Sequence, residues 1–427
     1  MTPPTLPLPE SAEAVCFAAI LLIPCALAGL ALINAGLVRS RAAAHSLLTA
    51  LCVAGTAAIV WSAVGAAWEG FIGRPHLAFV LAGRSWDWLG TERWFLRGVE
   101  FDGSAYSLAV AFGLFAVALT ALIPVGAAGE RWRLSASCTS TVFLAGIAFP
   151  LFAHWAWSGW LAQLGVTFGL GQGFVDSGGA GAIQVLGGLS AFAVSRVLGP
   201  RLGKYGAEGI PAATPAHNTA FVLFGCFLAW QGFIGLDCAG SILFSRVDIG
   251  RLVGVPVNVT LAAACALLAA VGITRARFGK SDASLSANAW VAGLAASSAG
   301  CAVMRPAGAA FTGLIAGALV VFSIEWLEVY FKLDDPGGAV SVHALGGIWG
   351  LLAAGLFGET GPYQLLAQIV GVAVLAGVFL PLTYGANSLL DRVVRYRVEP
   401  AGERQGVDIY ELGASAYPEF MTHTDEF

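Results

Sequence analysis

Two polar side chains, Gln184 and His343, interrupt apolar runs that otherwise carry no long polar group. Each occupies the ninth position of a fourteen-residue stretch, D-S-G-G-A-G-A-I-Q-V-L-G-G-L at 176–189 and D-P-G-G-A-V-S-V-H-A-L-G-G-I at 335–348. Aligned without a gap, Asp176 matches Asp335, Gly178-Gly179-Ala180 match Gly337-Gly338-Ala339, and Leu186-Gly187-Gly188 match Leu345-Gly346-Gly347. A neutral imidazole donates at one nitrogen, accepts at the other and relays protons near neutral pH. A primary amide also donates and accepts, but it takes up no proton in that range. An ionisable group inside a membrane span is functional by default. The plainer readings are a packing histidine bonded to a neighbouring carbonyl and an interhelical amide bond.

These side chains need helices to position them. Asp176 and Asp335 each stand where a carboxylate accepts the orphan N–H groups of a helix's first turn. Eight residues further, at about 1.5 Å per residue, the polar group lies roughly 12 Å along the axis. If the two copies enter a membrane from opposite sides, both polar tips fall near its middle, the pattern of an inverted-repeat transporter with a midplane site.

Composition supplies the membrane. The chain has 427 residues, of which 57% are hydrophobic and 11% charged, against about 25% charged in average soluble chains. Its mean hydropathy is +0.77. Repeated apolar runs of about 20 residues fit helices rather than a barrel, and the 55 glycines suit close helix approach in lipid. The net charge of -4 comes without a basic stripe, so nucleic acid is not an expected partner. The eight cysteines lie within or at the edge of apolar runs and form no CxxC pair, which reads as small buried residues. The Pro-rich segment Met1–Glu10 lacks the positive region of a cleavable leader, so the first apolar run is expected to be retained.

The expected fold is an all-α polytopic membrane protein of eleven transmembrane helices, near 13–36, 45–68, 105–128, 136–157, 179–199, 217–238, 252–273, 285–303, 307–331, 338–358 and 365–389. Residues 1–390 would form the membrane domain, as inverted repeats at about 13–199 and 217–358 plus a final helix, with 391–427 a polar tail. With the N-terminus outside, fifteen of the 22 Lys and Arg fall in cytoplasmic loops and the tail, which favours N-out, C-in. The long outer loop, roughly 69–104, is rich in Trp and Arg and suits a short interfacial helix or a subunit contact.

Other candidates are weaker alone. His154 and Trp157 lie in A-H-W-A-W-S-G at an outer helix end; a Trp face holds a small cation, but Trp is also common at the membrane interface. Asp176 could draw a cation to the outer mouth, although capping is the better reading. Asn218 reads as a cap and His217 as a structural residue at a cytoplasmic end. No P-loop, GxSxG or HExxH motif occurs, so neither ATP-driven pumping nor an enzyme is expected. No cofactor or metal site is expected either.

In joint order, the segments A-L-I-N-A-G-L-V-R-S-R (31–41), G-A-A-G-E-R-W-R-L-S-A (126–136), A-H-W-A-W-S-G (153–159), V-D-S-G-G-A-G-A-I-Q (175–184), P-A-H-N (215–218), L-D-D-P-G-G-A-V-S-V-H-A-L-G-G-I-W-G (333–350) and Q-G-V-D-I-Y-E-L-G-A-S-A-Y (405–417) are specific. The chain resembles the ammonium transporter family (Amt/Mep/Rh), nearest its bacterial Amt branch. The resemblance implies a homotrimer in the inner (cytoplasmic) membrane, surrounded by lipid, with one pore per subunit conducting ammonium or ammonia. It implies recruitment at Trp157, a Phe gate and two facing pore histidines. His343 matches one histidine; the other falls on Gln184. The gate positions fall on Phe115 and Leu236, and the vestibule hydroxyl on Gly240 or Ser241. The tail keeps G-V-D and A-Y but lacks the usual His and Glu between them, which weakens the implied contact with a PII-type regulator. Transport is one expectation. A second is a sensor that binds ammonium with little conduction; transducer members usually carry a signalling domain, and the sequence ending at Phe427 favours transport. An altered substrate, methylammonium-like or neutral, is a third.

Overall fold

The computed structural model describes residues 8–71 and 74–420. The first seven residues of the Pro-rich N-terminal segment, and the last seven of the expected tail, lie outside the described residues. Among the described residues, ten helices are long and apolar enough to cross a membrane. They are α1 (Glu10–Leu37), α2 (Ser40–Glu69), α3 (Ala105–Ala128), α4 (Leu134–Trp157), α5 (Ala180–Leu198), α6 (Thr219–Leu243), α7 (Ile249–Phe278), α9 (Pro306–Tyr330), α10 (Val340–Phe357) and α11 (Gln364–Val393). The expected eighth span, 285–303, differs. It is α8 (Ala283–Ser297), a 15-residue helix and so roughly 22 Å long, shorter than a hydrocarbon core of ~30 Å. It packs against α6, α7, α9 and α10, and the turn after it is held by Asn258, whose amide donates to the carbonyls of Cys301 and Met304 at 2.9 Å.

The loop after α2, read as suited to a short interfacial helix or a subunit contact, contains a β-hairpin. Residues His76–Leu81 (β1) and Arg84–Gly90 (β2) form an antiparallel hairpin. Alternating Leu77, Phe79, Leu81 and Trp86, Trp88 supply the strand pattern, and Ala82 and Gly83 turn it with φ of 52° and 74°, the two positive angles of a tight hairpin turn. The hairpin is bolted to α4. His154 Nε2 lies 3.0 Å from Asp87 Oδ1, its Nδ1 lies 2.5 Å from the Glu69 carbonyl, and Trp155 Nε1 donates to the Trp88 carbonyl at 2.8 Å.

In lipid, helices gain nothing by burying apolar groups against each other, so close backbone approach matters. The most extensive pairing, α1 with α6, uses it: a Cβ at Gly232 would run into the Ala26 backbone nitrogen. The crossing of α5 with α10 uses it again, because a Cβ at Gly188 would run into the Ala344 backbone nitrogen.

Charge is gathered at one end. Arg201 donates from its backbone and Nε to Asp334 Oδ2 at 2.8 and 2.9 Å, from Nη2 to Oδ1 at 2.9 Å, and from Nη1 to Glu130 Oε1 at 2.5 Å. Arg39 donates to the same Glu130 carboxylate, and Arg131 Nη2 donates to the Asp334 carbonyl at 2.7 Å. The loops after α1, α3, α5 and α9 therefore meet in one buried cluster. The tail lies over it. Asp408 accepts the N–H groups of Ala44 and His45 in α2, Glu411 accepts that of Leu134 at the start of α4, and Glu403 accepts that of Leu202.

Burial alone would push the Asp334 carboxyl up, but Arg131 and the bonds from Arg201 hold it down at about 2. Against about 3.9 in an unfolded chain, the depressed value contributes stability that is present above about pH 4 and lost as pH falls toward 2, worth about 2 kcal/mol at neutral pH. Asp334→Asn should therefore lower the thermal midpoint in detergent at pH 7, and the gap from wild type should shrink between pH 4 and pH 2; a constant gap across that window would remove the charge from the explanation. Gly188→Val, which forces atoms into the α5–α10 crossing, should destabilise by about 1–3 kcal/mol or prevent assembly, read as a loss of monodisperse protein and of thermal midpoint.

Candidate functional site

Both polar groups singled out in the sequence sit in the same kind of helix start. Asp176 accepts N–H groups from Gly181 and Ala182, each at 2.9 Å. Asp335 accepts those of Ala339 and Val340 at 3.0 and 2.7 Å. Each carboxylate thus satisfies two orphan donors of a helix that begins inside the protein. Gly179 and Gly338 precede these turns with φ of 85° and 67°, a region open to glycine at no steric cost. Both helices then open as π-helical turns, Ala180–Val185 and Val340–Leu345, which hold Gln184 and His343. Such turns recur at functional sites.

The two side chains meet. His343 Nδ1 lies 2.7 Å from Gln184 Oε1. The amide oxygen can only accept, so Nδ1 carries the hydrogen, and in the neutral ring Nε2 is an acceptor. The Gln184 Nε2 group is buried and has no protein partner among the described residues. Gln184 is fully buried and His343 nearly so. His343 lines a chamber of about 10 Å³ together with Leu30, Ile33, Asn34, Ile123 and Asn288, room for one water-sized molecule. Asn288 also lines a much larger cavity of about 500 Å³ toward the tail, bounded by Arg201, Lys204, Arg277, Glu325 and Glu328.

The end of the molecule away from the tail holds an aromatic cluster. Trp157, the last residue of α4, donates from Nε1 to the Asp176 carbonyl at 2.9 Å. Phe244 stacks on its face with centroids 4.3 Å apart and planes at 4°. Phe112 meets both edge-on, at 5.6 Å from Trp157 and 5.3 Å from Phe244. Above them lies a pocket of about 150 Å³ lined in part by Trp157, Phe244, Glu69, Tyr106, Arg74 and Arg246.

The other residues singled out in the sequence have these settings. Phe115 makes no ring contact with this cluster among the described residues; Phe112, one turn earlier on α3, does. Leu236 is buried within α6 and does not line the outer pocket, whereas Phe244 at the end of that helix does. Asp176 offers the mouth no free carboxylate, because both oxygens cap α5. Ser241 is buried; its hydroxyl donates back to the Asp237 carbonyl at 2.5 Å and lies 3.7 Å from the Cys301 thiol. Trp157 lies at the mouth, with its face covered. His154 bolts the hairpin, and His217 lies 2.8 Å from the Val38 carbonyl and 3.0 Å from the Tyr417 hydroxyl, both structural settings.

Sequence reasoning missed Phe244 and Phe112, whose apolar contexts match those of many other rings. It also missed Asp237, fully buried on α6 with neither carboxylate oxygen partnered among the described residues; an acidic residue within an apolar run was the available signal. No group of three or more His, Cys, Asp or Glu among the described residues could hold a metal ion.

Comparison with known proteins assigns the chain to a family. The model of the Ammonium Transporter Family matches residues 14–417. Ammonium transporter Amt2 of Archaeoglobus fulgidus is 34% identical over 420 residues, covering 92% of this chain and 85% of the relative. Ammonium transporter 1 member 3 of Solanum lycopersicum is 30% identical, covering 91% and 89%. Among solved structures, one titled Sensor Amt Protein superposes with a TM-score of 0.83 at 26% identity, covering 94% of this chain and 98% of that one. Candida albicans Mep2 superposes with a TM-score of 0.80 at 21% identity, covering 98% and 93%, a likeness of fold. The chain belongs to the ammonium transporter family.

Proposed function

We propose that the protein takes up ammonium at its outer mouth and passes ammonia through the interior between Gln184 and His343. The observation that carries this reading is the pairing of those side chains, of which His343 lines a chamber that admits one small molecule. Its chemistry suits ammonia. The unpartnered amide N–H of Gln184 is a donor for the ammonia lone pair, and the hydrogen-free Nε2 of His343 is an acceptor for an ammonia N–H. An intact ammonium ion would pay a large desolvation cost in this apolar interior, whereas the neutral molecule loses little. Potassium has no proton to lose and is rejected at the same step. In this reading the protein works as a homotrimer in the inner membrane, N-terminus outside, as a transporter and not an enzyme. Asp408 and Glu411 already bind α2 and α4, so a regulator of the PII type would meet the exposed outer side of the tail.

A second reading, an ammonium sensor with little conduction, is favoured by two observations: the likeness to the structure titled Sensor Amt Protein and the amide that stands where a second titratable ring would continue a proton relay. An ammonium concentration jump on proteoliposomes, recorded on a solid-supported membrane beside a potassium control and with a pH dye inside, separates the readings. Transport predicts a saturable, ammonium-selective current or internal alkalinisation; the absence of both would leave sensing. Gln184→His should raise the proton-coupled current, because it adds a second ring beside the first, where the amide oxygen now lies 2.7 Å from His343; an unchanged or lower current would count against a relay limited at Gln184. His343→Ala should cut ammonium-dependent flux at least about tenfold, the loss expected when a buried polar partner is removed and the group opposite it is orphaned.

A further inference from the structure

The Trp157 ring is held at its rim. Its Nε1 is tied to the Asp176 carbonyl at 2.9 Å, and Phe149 and Phe112 press edge-on against it with centroids at 6.2 and 5.6 Å. A cation would bind on a face of the ring, and Phe244 lies flat on one. The two rings that close over Trp157 are not equally free. Phe112 is fully buried inside α3 and cannot leave without moving that helix. Phe244 is the residue that ends α6; it is partly exposed, and its N–H donates to the Gly240 carbonyl in the last turn. Beyond it the chain runs through an irregular segment in which Ser245 Oγ pairs with Ser177 Oγ at 2.7 Å and Arg246 holds a φ of 52°, a backbone state that a side-chain-bearing residue adopts only at a cost. A ring at a helix end, followed by a strained residue, can swing where a ring inside a helix cannot.

We propose that Phe244 is the movable outer gate of this pore, and that it competes with the arriving ammonium ion for the face of Trp157 that it covers. The proposal rests on the ammonium reading above and adds the residue that controls entry. The exchange is feasible because a stacked aromatic pair and a cation–π contact are of the same magnitude. A cation therefore displaces the ring at little net cost, and the ring returns once the cation has passed or left. The closed mouth keeps water from the interior between these events. In this arrangement the barrier to entry lies in Phe244, with Phe112 a fixed wall and Leu236 part of the buried packing of α6.

The test uses the full chain and two readouts. Tryptophan emission is titrated with ammonium chloride on purified protein, with Trp157→Phe subtracted to isolate the ring, and ammonium-dependent flux is measured in proteoliposomes. Phe244→Leu keeps bulk but loses the flat ring, and Phe244→Ala serves if the leucine variant is not monodisperse. Either should lower the half-saturating ammonium concentration in both readouts by about fivefold, the scale of one stacked pair, while Phe244→Tyr keeps the wild-type value. An unchanged half-saturation without the ring would overturn the proposal, and a raised one would show that the ring helps to hold the cation instead of competing with it. No Trp157-dependent emission change in the wild type would overturn it as well. The conduction reading is scored separately: if wild-type flux is absent while the emission titration responds, conduction fails and Phe244 is still judged on the titration.

Discussion

Everything at the centre of this protein depends on two helices that begin inside it. A helix start leaves N–H groups without partners, and in a dry interior each such group is costly. Asp176 and Asp335 answer that need with their carboxylates. Because the starts are satisfied locally, the following turns can relax into π-helical form, and Gln184 and His343 project from those turns into contact. The small residues at the crossing, Gly188 against Ala344 and Gly347 against Ala180, let the backbones come close enough for a 2.7 Å bond. Capping, helix form and side-chain pairing make one unit, and a change in any of them reaches the pair.

The same logic separates the ends of the molecule. Toward the tail, charges are buried but mutually satisfied, and Arg201 alone bonds both Asp334 and Glu130. Breaking such a pair leaves an uncompensated charge, so the cluster acts as a clamp on the loops that carry α3, α5 and α10. Toward the mouth the closure is aromatic, with three rings packed face-to-edge and face-to-face. Aromatic contacts are modest and exchangeable. A salt-bridged end is suited to holding the halves in register, and an aromatic end to opening.

The amide at Gln184 shapes the chemistry of the interior. Two facing imidazoles would pass a proton between them; one imidazole and one amide form a fixed donor–acceptor pair whose polarity is set by the amide oxygen. Hydrogen bonding to ammonia survives that change, and proton transfer along the pair does not. The conduction of neutral ammonia proposed above needs only that hydrogen bonding, whereas charge movement would need another group. Asp237, buried on α6 without a partner for either oxygen among the described residues, is an ionisable side chain beside Gly178, ahead of the start of α5.

Much of this was legible in the chain itself. Hydropathy alone located the long helices, and α3 runs from Ala105 to Ala128, the limits its apolar run suggests, because the need to satisfy every backbone group in lipid leaves long apolar runs little choice but helix. The alignment of 176–189 with 335–348 paired Gln184 with His343 and assigned the two aspartates their caps, since local helix chemistry repeats with local sequence. What escaped was set by contacts distant in sequence. The expected span 285–303 is a helix only over Ala283–Ser297, and where it stops depends on the turn that Asn258 holds. The hairpin of β1 and β2 was hidden by a composition that also suits an interfacial helix. Which of many phenylalanines covers Trp157 depends on where α6 ends in relation to α4, and no spacing along the chain encodes that. The sequence determined the helices, their caps and the polar pair, because these follow from periodicity and first-turn chemistry; the tertiary structure decided which rings close the mouth, because that follows from the relative placement of helix ends.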